Sequence, residues 1–64
     1  MEYTNSRIRE LIAEYIHSER DRAILARRLI DGITFERLAD EFDMSVRQMK
    51  SIVYKLQEKL FKHL

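Results

Sequence analysis

The chain has no proline and a single glycine, Gly32, among its 64 residues. Strands and long loops are normally bounded by these two residue types, so a β fold would lack its usual turn signals here. Leu, Glu, Lys, Arg, Ala and Met, which favour helix, make up much of the sequence. The chain is therefore predicted to be all-α, with breaks that come from capping residues and from Gly32.

Apolar residues at helical spacing predict four helices, at about 4–17, 19–31, 35–42 and 46–62. Each helix follows a residue whose side chain can accept a hydrogen bond from its first turn, namely Thr4 or Asn5, Ser18, Thr34 and Ser45. Gln48, three residues after Ser45, completes the spacing of a capping box. Gly32 is expected to end the second helix, because glycine takes the left-handed conformation at low steric cost. These signals predict one four-helix domain over residues 1–64.

Composition argues against several classes of protein. The chain has no cysteine, so it has no disulfide and no thiolate metal site, and only His17 and His63 could supply imidazole. It has no apolar run near the ~20 residues that cross a bilayer, and its first residues do not resemble a signal peptide. We therefore expect a cytoplasmic protein with no membrane partner, metal or cofactor. The start at Met1 and the complete first helix favour a whole small protein over an excised domain.

Catalysis is not expected. The sequence contains no Ser-His-Asp set, no glycine-rich phosphate loop and no paired carboxylates that suggest a pocket. Four short helices also leave little room to enclose a substrate. The acidic residues Asp40, Glu41 and Asp43 flank a predicted helix end without the pattern of a metal-binding loop, so we expect them to be solvated.

The net charge of +1 conceals an uneven distribution. Residues 1–44 carry seven Lys and Arg against ten Asp and Glu, whereas residues 45–64 carry five against one. This pattern has two interpretations: a surface that meets an anionic partner, or a solvated helix face with lysines near its C-terminus, where the helix dipole favours them. The roles of Arg27 and Arg28 also have two interpretations, because these residues could contact phosphate or pair with nearby acids.

The predicted third and fourth helices, with the short break between them, have the features of a helix-turn-helix. Ala39 is small enough for two helices to cross closely beside it. Met44 supplies an apolar residue that can fill the angle at the turn. Ser45 caps the next helix and leaves its N-terminus able to approach phosphate. The fourth helix is therefore predicted to be a recognition helix that enters the major groove of DNA.

The candidate DNA contacts lie mainly on the side of the fourth helix away from its apolar residues. Arg47, Lys50 and Ser51 are near its start and are expected to reach base edges, and Val46 could touch a thymine methyl. Gln48 could read adenine or be held within the capping box. Residues farther along are expected to meet phosphates. The full predicted set is Ser45, Val46, Arg47, Gln48, Lys50, Ser51, Tyr54 and Lys55.

The stretch from Asp21 to Leu60 resembles region 4, the C-terminal promoter-recognition region of bacterial sigma factors, and is similar to the output domains of LuxR-type regulators. The matching residues are Arg22-Ala23-Ile24-Leu25, Gly32-Ile33-Thr34, Leu38-Ala39-Asp40-Glu41-Phe42-Asp43-Met44-Ser45, Met49-Lys50 and Lys59-Leu60. The resemblance implies a stand-alone, sigma-like transcription regulator of the kind encoded by phages and mobile elements, with double-stranded DNA and RNA polymerase as partners. Val46, rather than a charged residue, follows the cap, so the DNA sequence preference of sigma factors is not carried over.

Two other roles use the same predicted fold. The chain could be a protein-interaction module that docks on RNA polymerase or another transcription factor, through the acidic first 44 residues, without reading DNA sequence itself. It could also form a homodimer through the C-terminal helix. For that role we expect surplus apolar surface at Leu56, Leu60, Phe61 and Leu64.

Overall fold

The computed structural model describes residues 4–62, which form four α-helices and no strand. The helices are α1 (Asn5–Tyr15), α2 (Glu19–Leu29), α3 (Phe35–Glu41) and α4 (Val46–Phe61). The all-α class and the order of the four helices are as predicted from the sequence. None of the helices in the described range has the length and apolarity to span a lipid bilayer.

Each helix starts at a hydroxyl side chain that was expected to cap it. The side chains of Thr4, Ser18 and Thr34 each accept a hydrogen bond from the backbone N–H three residues later. Ser45 does the same for Gln48, whose side chain accepts in return from the backbone N–H of Ser45. Since an N-cap contributes about 1 kcal/mol, these local hydrogen bonds explain why the helix starts follow directly from the sequence.

The end of α1 falls two residues before the predicted position. The Arg22 guanidinium donates to the carbonyl oxygens of Ala13, at 2.7 Å, and of Ile16. These bonds satisfy carbonyl groups that the end of a helix leaves without an intrahelical partner. His17, expected late in the first helix, consequently lies in the connection to α2 and is exposed.

The other helices also end slightly earlier than predicted. The regular part of α2 stops at Leu29, and the chain turns at Gly32, which has the expected left-handed conformation with φ of 69°. The backbone N–H of Ile33 returns to the carbonyl of Arg27 across this turn. α3 and α4 each end one residue short of the predicted position, so Phe42 and Lys62 are C-caps.

The hydrophobic core consists of two clusters that share α2 and α4. The first cluster contains Leu11, Ile12, Ile16, Leu25 and Leu60. The second contains Ile24, Leu38, Ala39, Met49 and Val53. The first half of α4 thus packs with α3 and α2, while its last turns pack with α1 and α2. This double anchorage fixes which side of α4 faces solvent.

The surplus apolar surface expected at the C-terminus is mostly absent from the described residues. Leu60 is only 1% exposed, and Leu56 packs against the first cluster, because α1 covers this end of α4. Phe61 is 49% exposed. His63 and Leu64 lie outside the described residues. The expectation was therefore wrong for Leu60, and Phe61 is the one exposed residue among those expected to form this surface within residues 4–62.

Candidate nucleic-acid interface

The connection between α3 and α4 is closed by backbone hydrogen bonds. The N–H of Met44 donates to the carbonyl of Ala39 at 2.8 Å, and that of Asp43 donates to Asp40 at 3.3 Å. This pair of bonds is a Schellman arrangement, in which the residue after the helix adopts the left-handed conformation. Asp43 has φ of 55°, the only positive φ among the non-glycine residues described. This left-handed conformation of Asp43 was not predicted from the sequence, although Asp is among the residues that tolerate it.

The residues expected to pack the turn do so. Ala39 is 2% exposed and belongs to the second core cluster with Met49 and Val53 of α4, so it lies where α3 meets α4. Met44 is half-buried and packs against the same cluster. The turn is therefore anchored by side chains as well as by its backbone bonds, and the start of α4 is held firmly against α3.

Seven of the eight predicted contact residues are exposed. They are Ser45, Arg47, Gln48, Lys50, Ser51, Tyr54 and Lys55. Val46 is half-buried and packs against the second core cluster, so only part of its side chain faces solvent. The structure thus brings the predicted set onto the open side of α4, with Val46 at its edge.

Gln48 is engaged in the capping box. Its Oε1 accepts from the backbone N–H of Ser45 at 3.2 Å and lies 3.3 Å from the Ser45 hydroxyl. The backbone N–H of Gln48 donates to that hydroxyl at 3.1 Å. Of the two roles left open by the sequence, the local one is present in this structure.

The cations on the open side of α4 have no carboxylate partner within residues 4–62. Four ion pairs occur among residues 4–62, and all of them join residues of the first three helices or of the turn after α2. α4 also carries no acidic residue in its first turn, whereas α2 and α3 both do. Neither Arg47 nor Lys50 is therefore neutralised by a carboxylate of residues 4–62.

An aromatic and cationic cluster, which we call the Phe35 cluster, lies on one flank of α4. The Phe35 ring meets Tyr54 edge-on, with centroids 5.9 Å apart. The Arg28 guanidinium carbon is 4.2 Å from the Phe35 centroid, and the Lys50 ammonium is 5.8 Å from it. Arg28 also donates to the carbonyl of Ile33 at 2.8 Å. The cluster thus places two cations beside the Phe35 ring, with the Tyr54 ring against its edge.

A shallow groove of about 350 Å³ is lined by residues of the other flank. Its lining is Arg20, Met44, Gln48, Ser51 and Ile52. Arg20 comes from the first turn of α2 and contacts Asp21 at 3.2 Å. Since Arg20 and Arg28 are eight residues apart on one helix, they are separated by roughly 12 Å along its axis. α2 therefore supplies one arginine to each flank of α4.

Phe35 and Arg20 are also parts of this surface, and neither was predicted from the sequence. In the sequence, Phe35 is simply the first residue of the predicted third helix, and Arg20 has no distinguishing neighbour. Both reach the flanks of α4 through the packing of separate helices, and no local sequence pattern reports that packing.

Arg27 forms ion pairs with two acids and is not part of the Phe35 cluster. Its guanidinium pairs with Asp31 at 3.0 Å and with Glu41 of α3. The hydrogen bond from Arg27 holds the pKa of Glu41 below its ordinary value, and the pKa of Arg27 is raised in turn. Of the two adjacent arginines, Arg27 thus pairs with acids, while Arg28 faces the Phe35 cluster.

Cations thus lie on both flanks and on the open side of α4, although Arg20 also pairs with Asp21. This arrangement suits an elongated anionic partner better than an enclosed small molecule, because the groove beside α4 is shallow and open to solvent. Comparison of the chain with models of known families, with curated proteins and with solved structures found no match.

Proposed function

We propose that the chain is a sequence-specific DNA-binding transcriptional regulator, with α3 and α4 acting as a helix-turn-helix and α4 as its recognition helix. The observation that carries this proposal is the placement of Arg47 and Lys50 in the first turns of α4. Cations at a helix N-terminus oppose the helix dipole, so helix stability alone does not favour them there.

The alternative of a merely solvated face explains the other end of α4 better. Lys59 lies in the last turn, where the dipole favours a cation. The same reasoning fails for Arg47, which is exposed, has no ion pair among residues 4–62 and stands where an acid would be more stabilising. An anionic partner that approaches the start of α4 accounts for both residues.

The dimensions of α4 suit the major groove of B-DNA. A helix with its side chains is about 10–12 Å wide, and the groove is about 12 Å wide. With α4 in the groove, its two flanks would face the two phosphate backbones. Arg20 on one flank and Arg28 with Lys50 on the other then have the charge and reach for phosphate contacts, which position a protein on DNA without reading sequence.

The experiment that tests the proposal is titration of a random-sequence duplex at several salt concentrations, followed by fluorescence anisotropy. If Arg20, Arg28, Lys50 and Lys55 neutralise phosphates while Arg47 contacts bases, log K should fall with log salt at a slope of about −3 to −4. The Arg9→Ala variant is a matched control, since Arg9 is exposed on α1 and belongs to none of the ion pairs within residues 4–62. A slope near zero for the unmodified chain contradicts the proposal.

A second candidate function is docking on RNA polymerase or another transcription factor. Exposed acids at Glu36, Asp40 and Asp43 favour it, because they form an acidic surface on α3 and the turn beside the basic one. A partner captured equally well by the chain and by its Arg47→Ala, Lys50→Ala double variant would support docking. Loss of capture in that variant would assign the interaction to the basic surface instead.

A further inference from the structure

The capping box dictates which end of the Gln48 amide points outward. The backbone N–H of Ser45 is a donor, so the Gln48 atom 3.2 Å away must be the carbonyl oxygen Oε1. The Ser45 hydroxyl also lies against that oxygen. The amide nitrogen Nε2 is at the other end of an exposed side chain and has no hydrogen-bond partner among residues 4–62. Gln48 therefore offers an approaching ligand two donors.

This orientation matters for DNA because glutamine reads adenine with both ends of its amide. The bidentate contact needs the amide oxygen to accept from adenine N6 while the nitrogen donates to N7. In Gln48 the oxygen is already shared with the backbone N–H and hydroxyl of Ser45. Adenine reading would thus require the capping box to open, which leaves the Ser45 N–H without its acceptor.

The neighbouring side chains also donate and do not accept. Arg47 carries five N–H donors and Lys50 carries three, and neither has an acceptor. α4 has no carboxylate until Glu58, which lies more than three turns from its start. The Ser51 hydroxyl is the one exposed side-chain group in the first six residues of α4 that can accept freely. The start of α4 is consequently a surface of hydrogen-bond donors.

We infer that this donor surface makes guanine the base that α4 reads, chiefly through Arg47, with the Gln48 amide as an additional donor. The inference rests on the proposed DNA-binding function. In the major groove guanine presents two acceptors, O6 and N7, whereas adenine and cytosine each present a donor and thymine presents one acceptor and a methyl group. Arginine satisfies both guanine acceptors at once. Val46 adds little for thymine, because it is half-buried against the second cluster.

The first step of the test is selection from a random duplex pool with sequencing of the bound fraction. We expect enriched sites to contain guanines at fixed positions on the strand that faces Arg47. Replacing those guanines one at a time with 7-deazaguanine removes the N7 acceptor and leaves base pairing intact. Affinity should then fall by about two- to tenfold at the position bound by Arg47, because one of the two hydrogen bonds of a bidentate contact is lost and the bond to O6 remains.

The second step uses the Gln48→Glu variant, which preserves the capping box but replaces the outward-facing hydrogen-bond donor with an acceptor. Glutamate at this position still accepts from the Ser45 N–H, and a carboxylate suits the first turn of a helix, so thermal stability should not fall. Its second oxygen is an acceptor, and acceptors pair with cytosine N4. Selected sites should therefore lose guanine and gain cytosine at the position beside Gln48. Gln57→Glu makes the same charge change more than two turns later and should leave the selected sequence unaltered.

The outcomes separate this inference from the proposed function. Salt-sensitive binding to sites rich in adenine and thymine, without fixed guanines, overturns the guanine assignment and leaves DNA binding standing. Salt-sensitive binding without any enriched motif overturns the guanine assignment and also the sequence-specific part of the proposed function, and leaves only nonspecific DNA binding. Failure to bind the pool at either low or moderate salt overturns both. Fixed guanines whose 7-deaza forms bind less tightly, together with the cytosine shift in Gln48→Glu, support the inference.

Discussion

The backbone N–H of Met44 donates to the carbonyl oxygen of Ala39 at 2.8 Å, across the left-handed residue that separates α3 from α4. Both residues also pack into the second core cluster, Ala39 as a buried member and Met44 against its edge. The start of α4 is therefore tied to α3 twice, by the backbone and by side chains. The exposed hydrogen-bond donors at the start of α4 therefore have a fixed position relative to α3.

Asp43→Gly should stabilise the fold. A left-handed conformation costs an L-residue roughly 1–2 kcal/mol, and glycine avoids that cost while losing about 0.5–1 kcal/mol to the flexibility of the unfolded chain. We expect a net gain of up to about 1 kcal/mol in the free energy of unfolding, measured by urea denaturation. Asp40→Gly, inside α3, is the control and should destabilise. Equal losses in both variants would mean that the conformation of Asp43 is not strained.

Arg47→Ala should weaken DNA binding and strengthen the fold. Loss of a base contact is expected to cost about 1–3 kcal/mol on the preferred site, with little change on random DNA. Removing a cation from the first turn should raise the free energy of unfolding by about 0.3–1 kcal/mol. Anisotropy titrations and thermal unfolding measure the two effects. Lys59→Ala, in the last turn, should lower stability, so a gain in that variant would contradict the dipole explanation.

Phe35→Leu should loosen one flank of α4. Leucine keeps an apolar side chain at the start of α3 but loses the edge-on contact with Tyr54 and the cation–aromatic contact with Arg28. Each such contact contributes about 0.5–1.5 kcal/mol, so we expect a loss of about 1–2 kcal/mol in unfolding free energy. The salt dependence of DNA binding should become shallower as Arg28 and Lys50 lose their fixed positions. Phe35→Tyr retains the ring, and a loss as large as that of the leucine variant would exclude a role for the aromatic face.

Glu41 should make part of the stability dependent on pH in the acid range. The hydrogen bond from Arg27 lowers the pKa of Glu41 in the folded state from an ordinary value of 4.5. Its contribution is therefore present above that value and is lost as the pH falls through the lower, folded-state pKa. The difference in melting temperature between the unmodified chain and Glu41→Gln should shrink from pH 7 to pH 3. Glu14 belongs to none of the ion pairs within residues 4–62. For the control variant Glu14→Gln, the difference in melting temperature from the unmodified chain should therefore change less between pH 7 and pH 3.

The helix starts and the open side of α4 could be predicted because they depend on neighbours in the sequence. A capping serine or threonine acts on a backbone N–H three residues away, and the faces of a helix follow from its period. The end of α1 was predicted two residues late for the opposite reason. Its last carbonyls are bound by Arg22, from the next helix, and the sequence does not indicate where that side chain reaches.

The flanks of the candidate site could not be predicted from the sequence either, because they depend on contacts between separate helices. Arg28 could be proposed for phosphate or for ion pairing, but only the packing of α2 on α3 places it over Phe35. Leu60 was counted as surplus apolar surface because helical periodicity does not show that α1 covers it. The conformation of Asp43 was missed since the usual marker of a left-handed turn, glycine, is absent from that position.

The sharing of α4 between both core clusters also affects how the protein would associate with a partner. Because both halves of the helix are already packed, binding along its open side does not have to order the helix. The entropy lost on association would then come from exposed side chains and not from the backbone. Calorimetry of binding should accordingly give a heat-capacity change that the area buried between the two molecules explains in full. The additional heat-capacity change that accompanies folding coupled to binding should be absent.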